Sequence, residues 1–307
     1  MPHNALLMAT NRWSQTTTTI NHSGQDVAYP ATNTRELSRN KTWHSLGNVN
    51  LYLQANLGAT YKIGAVCIVF PKRIYTPDQD LGSQRTYAGI STSGTIRVRV
   101  SANADMSSPV YDSGTINAWE IIYTSSEIST GLLSEFFPSG LPDTNTIPWL
   151  QGLVRRVLLP SEVSGRYVRI DFNDSGNPAG YLEVSYIYAG RVLEVTNNIA
   201  YGWKVWREEV SREPQSASGQ KWMARVYRRA HVSAILNADS LSNMTGIWYL
   251  LFYLTGVNTE VLVSLVDRIG SLQFYTTIYG KFAQSSQLSN VGFNTYQIPL
   301  ELEEIVA

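Results

Sequence analysis

Two alternating apolar runs, RYVRIDF at 166–172 and YLEVSYIYAG at 181–190, flank the connection NDSGNPAG at 173–180. Gly176, Pro178 and Gly180 exclude a helix through that connection, so the runs read as separate strands. The same texture extends from Trp13 to about Val195. NLYLQANLG (50–58) alternates Leu51, Leu53, Ala55 and Leu57, which predicts one buried face. KIGAVCIVF (62–70) is a continuous apolar run, as expected of a central sandwich strand. GTIRVRVSAN (94–103) points Ile96, Val98 and Val100 inward against Arg97, Arg99 and Ser101. PVYDSGTI (109–116) and LVRRVLLP (153–160) supply further strands, and residues 124–150 form a long irregular stretch with Phe136, Phe137 and Trp149. Short strands at this spacing, with polar turns between, predict a β-sandwich or jelly roll.

Near Val195 the texture changes, which divides the chain into 1–195 and 196–307. KVWREEV…VSAIL (204–236) reads as two long strands joined by a Pro/Ser/Gly turn. In NMTGIWYLLFYLT (243–255), Met244, Ile247, Trp248, Leu251 and Phe252 share a helical stripe. Tyr249, Leu250, Tyr253 and Leu254 make the opposite side apolar too, so this helix must be covered all round. EVLVSLV (260–266), LQFYTTIYGKF (272–282) and TYQIPLELEEI (295–305) are expected strands. The predicted fold is therefore mainly β: an N-terminal sandwich and a C-terminal α+β part with one helix.

Composition narrows the function classes. Charged residues make up only 16% of the 307 residues, against 43% hydrophobic, with 18 Tyr and 8 Trp. About a quarter charged is usual, so partners are expected to cover part of this surface. Lys+Arg and Asp+Glu both number 24, and this zero balance excludes electrostatic steering to nucleic acid or an anionic membrane. The single Cys67 excludes an intrachain disulfide and sits in an apolar run, as a buried inert thiol would. That usage predicts folding in a reducing cytosol. The first residues lack the basic and long apolar regions of a signal peptide. Asn258 and Glu260 interrupt the most apolar segment, 246–266, before it can span a membrane.

No metal or cofactor site is expected. His3, His22, His44 and His231 have no zinc-ligand spacing, and His44 reads as a structural turn histidine. Nucleophile elbows and phosphate loops are absent, and the glycines at 176–190 lie between strands, where a dinucleotide loop would open a helix. Scattered carboxylates do not by themselves make a glycosidase pair, so the chain is read as a non-enzyme. The basic clusters VRR (154–156) and YRRAH (227–231) read as strand faces meeting acidic partners.

Four stretches carry a resemblance. YPATNTRELSRNKTWHS (29–45) looks like an irregular opening before the first core strand. NLYLQANLG with YKIGAVCIVF, GTIRVRVSANADMSSPVYDSGTI, and GRYVRIDFNDSGNPAGYLEVSYIYAG follow in order. Over about 13–190 the chain resembles the discoidin, or galactose-binding-like, jelly roll. The resemblance implies that Tyr167, Val168 and Ile170 cross the sheet beside Leu182, Val184 and Ile187. It also implies a binding module with ligand loops at 30–45, 71–88 and 173–179. Trp43, Arg73, Tyr75, Asp78, Arg85 and Tyr87 are the ligand candidates, a mix suited to a sugar and equally to docking on a neighbouring subunit. The cysteine pair of many secreted members is missing.

Residues 200–307, closing with GKFAQSSQLSNVGFNTYQIPLELEEIV, look like the tail-tube-related fold of tailed-bacteriophage tail and baseplate proteins. That resemblance implies a virion tail-tip or baseplate component similar to distal tail proteins, assembled in the host bacterial cytoplasm. It would form a hexameric ring by sheet extension, with Trp248, Tyr249, Tyr253, Arg228 and Arg229 at the subunit interface. Tube, hub or fibre proteins and host surface glycan are the implied partners. A bacterial carbohydrate-binding, lectin-like protein is the alternative, and a glycan-cleaving enzyme the third reading.

Overall fold

The structure is a computed structural model. It describes residues 5–36, 38, 41–71, 89–91, 93–119, 154–177, 179–195, 199–212, 224–238, 245–246, 256–257, 259–266, 273, 276–284 and 287–305. In chain order the strands are β1 (Leu6–Met8), β2 (Thr19–His22), β3 (Trp43–His44), β4 (Leu51–Val69), β5 (Thr95–Ser101), β6 (Tyr111–Asp112), β7 (Ile116–Asn117), β8 (Val154–Asn173) and β9 (Glu183–Val184). They continue with β10 (Tyr186–Gly190), β11 (Leu193–Glu194), β12 (Lys204–Arg212), β13 (Ala224–Ala238), β14 (Glu260–Ser264), β15 (Thr277–Phe282), β16 (Ser289–Gly292) and β17 (Thr295–Glu304). Among the described residues there are also a 3-10 turn, Ala31–Arg35, helical residues at 245–246, 273 and 276, and the β-bridges Asn11 with Gly190 and Ile199 with Leu236. The chain is mainly β, and among the described residues no helix is long and apolar enough to cross a membrane.

The sandwich is organised by β4 and β8. Each merges two runs that the sequence reads as separate strands, because the intervening turn residues are absorbed as bulges. The β4–β8 register shifts between Asn56 and Tyr61 and again between Ile63 and Ala65. Gly165 lies opposite Tyr61 at this irregularity; a Cβ there would lie 2.3 Å from Val100 Cγ1, so only glycine lets β8 approach β5 so closely. On one side of the bend β2, β4, β8 and β5 lie in sequence, with β6 and β7 against β5. On the other side β10 pairs β4, and β4 pairs the first part of β8.

The expected alternations hold for the apolar positions, but Ser101, expected to face outward, is fully buried at the end of β5. Leu51, Leu53, Ala55 and Leu57 are buried, as are Ile96, Val98 and Val100, while Arg97 faces solvent. They share one core with Val168, Ile170, Phe172, Leu182, Val184 and Ile187. Each fully buried aliphatic contributes about 1.5–3 kcal/mol. The strands containing these last residues are not sheet neighbours as expected. Strand β8 lies between β4 and β5, β9 pairs β3, and β10 pairs β4. NDSGNPAG is therefore a connection out of the β4–β8–β5 layer, not a hairpin turn, and its flanking strands meet through the core.

The second sheet runs β11-β1-β14-β15-β17-β13-β12, with β16 on β17. The predicted pair 204–236 is present as β12 and β13, and TYQIPLELEEI as β17. Strand β1, which the sequence division groups with the sandwich, instead pairs β14 and β11. The predicted strand 272–282 starts only at Thr277. Gln273 and Thr276 are helical, and the Thr277 Oγ1 hydroxyl donates to the Gln273 carbonyl at 2.8 Å, a helix-type local bond that competes with the ladder. Of the predicted helix 243–255 only 245–246 are described, so Trp248, Tyr249 and Tyr253 lie outside the described residues. One face of this sheet buries Leu7, Val232, Leu236, Val263, Phe282, Ile298 and Leu300.

A third cluster joins the sheets. Leu6, Met8, Leu262 and Tyr279 pack on Ala65, Cys67, Val69, Tyr186 and Tyr188. Cys67 is fully buried, 3.4 Å from Met8 Sδ. The Tyr186 hydroxyl donates to Glu260 at 2.6 Å and accepts from Asn11 Nδ2 at 2.7 Å. Asn11 also donates to the Ile187 carbonyl and accepts from the Ala189 amide. Gly190 passes so close to Thr10 that a Cβ would meet its carbonyl at 2.1 Å. Burial, then the Glu260 charge, pushes the Tyr186 hydroxyl well above the usual phenol range; burial does the same to Tyr188.

Tyr186→Phe should lower stability by about 1–3 kcal/mol, because Glu260 and Asn11 lose a buried partner. Urea unfolding at neutral pH measures it. Both raised tyrosines hold their protons in the folded state while the unfolded chain loses them near pH ~10. Wild-type stability should therefore be full below that pH and fall above it, by about 1.4 kcal/mol per pH unit for each tyrosine, with a shallower fall in the variant.

Candidate ligand-binding end of the sandwich

Strand β3 sets the geometry. Trp43 lies opposite Val184 and His44 opposite Glu183, so the two side chains of β3 point to opposite sides. Trp43 turns inward, fully buried, with its ring 5.9 Å from Phe172. It is a core residue and cannot present its ring to a ligand, which corrects the expectation from sequence. His44 takes the outer position instead. Its Nε2 lies 2.8 Å from Thr42 Oγ1 and 3.2 Å from Glu183 Oε1.

Two tyrosines flank that imidazole. Tyr29 stacks on it with centroids 3.6 Å apart and planes 10° apart, and Tyr181 lies at 5.3 Å and 30°. The backbone holds the stack in place. The His44 amide donates to the Tyr29 carbonyl, and the Asp26 amide donates to the His44 carbonyl. Gln25 accepts from the Ala31 amide, and Asn33 donates to the Thr42 carbonyl. The 3-10 turn is tied inward by buried Trp13, whose indole N–H donates to Thr34. Tyr29 remains 41% exposed, so an aromatic ring on a fixed support faces solvent. Nothing in the sequence distinguishes Tyr29 or Tyr181 from the other tyrosines; their meeting at His44, from far apart in the chain, exists only after folding.

Two buried polar side chains lock the adjoining loops. Asp174, only 1% exposed, accepts from both the amide and the hydroxyl of Ser91, and its own amide donates to Asn48. Asn177, 4% exposed, donates to the carbonyls of Gly89 and Tyr181 and accepts from the Ala179 amide. Ser45 accepts from the Leu182 amide. The loops 29–48, 89–91 and 174–182 thus meet at one end. Two of the three expected ligand loops are here, and Gly89–Ser91 forms the described return of the third. Arg73, Tyr75, Asp78, Arg85 and Tyr87 lie outside the described residues.

Other charged side chains pair within the chain. On the outer face of the β4–β8–β5 layer, Arg99 and Arg169 both donate to Asp171, and the Arg169 guanidinium lies 3.9 Å from the Tyr52 ring centroid. Arg97 donates to Asp112 and holds its carboxyl below the usual carboxylate range. Arg229, expected at a subunit interface, donates to Glu303 within the chain at 2.7 Å. Burial alone would raise the Glu303 carboxyl, but Lys281 and Arg229 together hold it below the ordinary range. Arg228 stands opposite Glu209 in the β12–β13 ladder. Among the described residues no group of three or more His, Cys, Asp or Glu is placed to hold a metal ion.

No protein-family model matches the chain, and no curated protein sequence matches it. Solved structures similar to it include the family 32 carbohydrate-binding module of C. perfringens NanJ in complex with galactose, at 14% identity and a TM-score of 0.36, covering 61% of this chain and 99% of that one. The lectin domain of lectinolysin complexed with Lewis B antigen is similar at 12% identity and 0.36, covering 60% and 98%. A Streptococcus pneumoniae fucose binding module is similar at 13% and 0.35, covering 60% and 96%. The sandwich architecture stands on its own strand ladders.

Asp174→Ala should lower stability by about 1–3 kcal/mol, since the Ser91 amide and hydroxyl lose their acceptor. Trp43→Ala should lower it by about 3–5 kcal/mol through the cavity it leaves. Denaturant unfolding reads both; a Trp43→Ala protein of native stability would place the ring outside the core.

Proposed function

We propose that this chain is a non-catalytic binding protein whose sandwich holds a glycan at the loop end built around Tyr29, His44 and Tyr181. The exposed, rigidly backed ring of Tyr29 carries this reading. A sugar presents an apolar face of C–H groups rimmed by hydroxyls, and a fixed aromatic ring beside hydrogen-bonding groups complements both. Thr42 and Glu183 lie buried behind the stack and hold the His44 ring in place through its Nε2. A site already fixed before binding loses little conformational freedom when occupied. Arg73, Tyr75, Asp78, Arg85 and Tyr87 remain ligand candidates from the sequence alone.

A glycan array with the purified chain tests the reading. One class of glycan should be retained, and Tyr29→Ala should weaken its binding about tenfold or more, equivalent to about 1.4 kcal/mol, with unfolding unchanged. Tyr75→Ala or Arg73→Ala should reduce it similarly. An array on which nothing is retained would rule the site out.

A second reading is a structural component of a tailed-phage tail tip or baseplate, forming a hexameric ring and contacting tube, hub or fibre proteins. One feature favours it. The β16–β17 hairpin exposes 287–295, an uncharged run, with Val291 54% and Phe293 96% exposed. Apolar side chains grouped at a projecting tip are unusual on a monomer and mark a protein contact. Native mass measurement should give a six-copy species; a stable monomer at high concentration is the outcome that sinks this second reading.

A further inference from the structure

We propose that β12 is a self-pairing edge, on which a second copy of this chain adds its own β12 antiparallel across a two-fold axis centred on Trp206. The inference depends on neither reading above.

The second sheet ends differently at its two sides. Strand β11 offers only two residues, Leu193–Glu194, whereas β12 offers nine, Lys204–Arg212. Among the described residues β12 has β13 on one side and no strand on the other. Growing the sheet into a ring requires two different edges to match, and a two-residue edge gives a poor ladder to a nine-residue one. A two-fold axis needs only one edge, used twice.

Two registers of that edge pair opposite charges: the one centred on Trp206, and the one centred on Val210, which sets Glu208 against Arg212 but is interrupted by the β-bulge between Val210 and Ser211. A two-fold axis perpendicular to the sheet places opposite residues on the same face, so each register is defined by the residue opposite itself. Centring on Arg207, Glu208 or Glu209 sets a like charge against itself at the axis, which is destabilising. Centring on Val205 sets Lys204 opposite Trp206 and forms no ion pair across the axis among 203–207. Centring on Trp206 sets Trp206 against Trp206, Val205 against Arg207, and Lys204 against Glu208, the last pair occurring twice. Edge strands normally use charge to repel further strands; here the two signs are spaced so that a copy of the same strand is the one that fits.

The side chains at the centre are arranged for this contact. Trp206 is 46% exposed and lies parallel to His231, centroids 5.1 Å apart and planes 9° apart, so its ring is held from within its own chain. Glu208 lies 3.2 Å from His231 Nε2 and keeps 47% of its side chain exposed, leaving carboxylate surface for Lys204 of the second copy. Lys204 is itself exposed.

Sedimentation velocity on the full chain tests the pairing. Wild type should sediment as a dimer at high micromolar concentration. Lys204→Glu or Glu208→Lys alone should weaken self-association about tenfold or more, and the two together should restore it. Trp206→Cys should give a disulfide-linked dimer under mild oxidation, since the axis sets 206 against 206, and Cys67 is buried away from competition. A wild-type monomer, or an assembly that the charge reversals leave unchanged, overturns the proposal. Loss of glycan binding by Tyr29→Ala would leave this result untouched, so the two ideas fail separately.

Discussion

The β4–β8 ladder is the constraint on which the molecule depends. These two strands run through the whole sandwich, bend together at their bulges, and supply the centre of both layers. Strands β2, β5 and β10 are positioned only because one of the pair is already there. Pairs such as Leu53 with Ile170 bring together residues more than a hundred positions apart, so the fold is built on non-local contacts. The bulges are as necessary as the ladder: without a place to bend, strands of 19 and 20 residues would give one flat sheet and no enclosed core.

From that ladder the structure extends in two directions. Strand β10 on β4 forms the surface against which β1, β14 and β15 of the second sheet pack, and the Tyr186–Glu260–Asn11 bonds give this joint its orientation. A buried hydroxyl shared by two polar partners tolerates little displacement, whereas the surrounding apolar contacts alone would tolerate sliding. At the loop end, the polarity is reversed. Asp174 and Asn177 are buried so that neighbouring side chains need not be, and the ring of Tyr29 stands exposed above a framework of backbone hydrogen bonds.

Much of the sandwich was legible beforehand. The two-residue period of Leu51–Leu57 and of Ile96–Val100 identifies which side chains are buried, because a strand has only two faces and one of them must be dry. The pairing of 204–212 with 224–238 is also readable, since consecutive strands with a polar turn between them are usually neighbours. The same rule failed for 166–172 and 181–190, where the chain changes layer. Periodicity says which face is buried but not across which neighbour. It failed again at Trp43: an aromatic in an irregular opening reads as a binding residue, and only the pairing of β3 with β9 sends it inward and His44 outward.

By itself, then, the sequence determined the material class and the faces: mainly β, disulfide-free, with alternating strands whose apolar sides had to meet. Tertiary structure alone decided the adjacencies between elements distant in sequence. Strand β1 joining a sheet built otherwise from residues after 192, Tyr29 and Tyr181 meeting at one imidazole, and β12 standing last in that sheet among the described residues are all long-range outcomes. The physical reason is that local patterning reports how each residue prefers to face water, while partners distant in sequence are chosen by how whole layers close around a shared core.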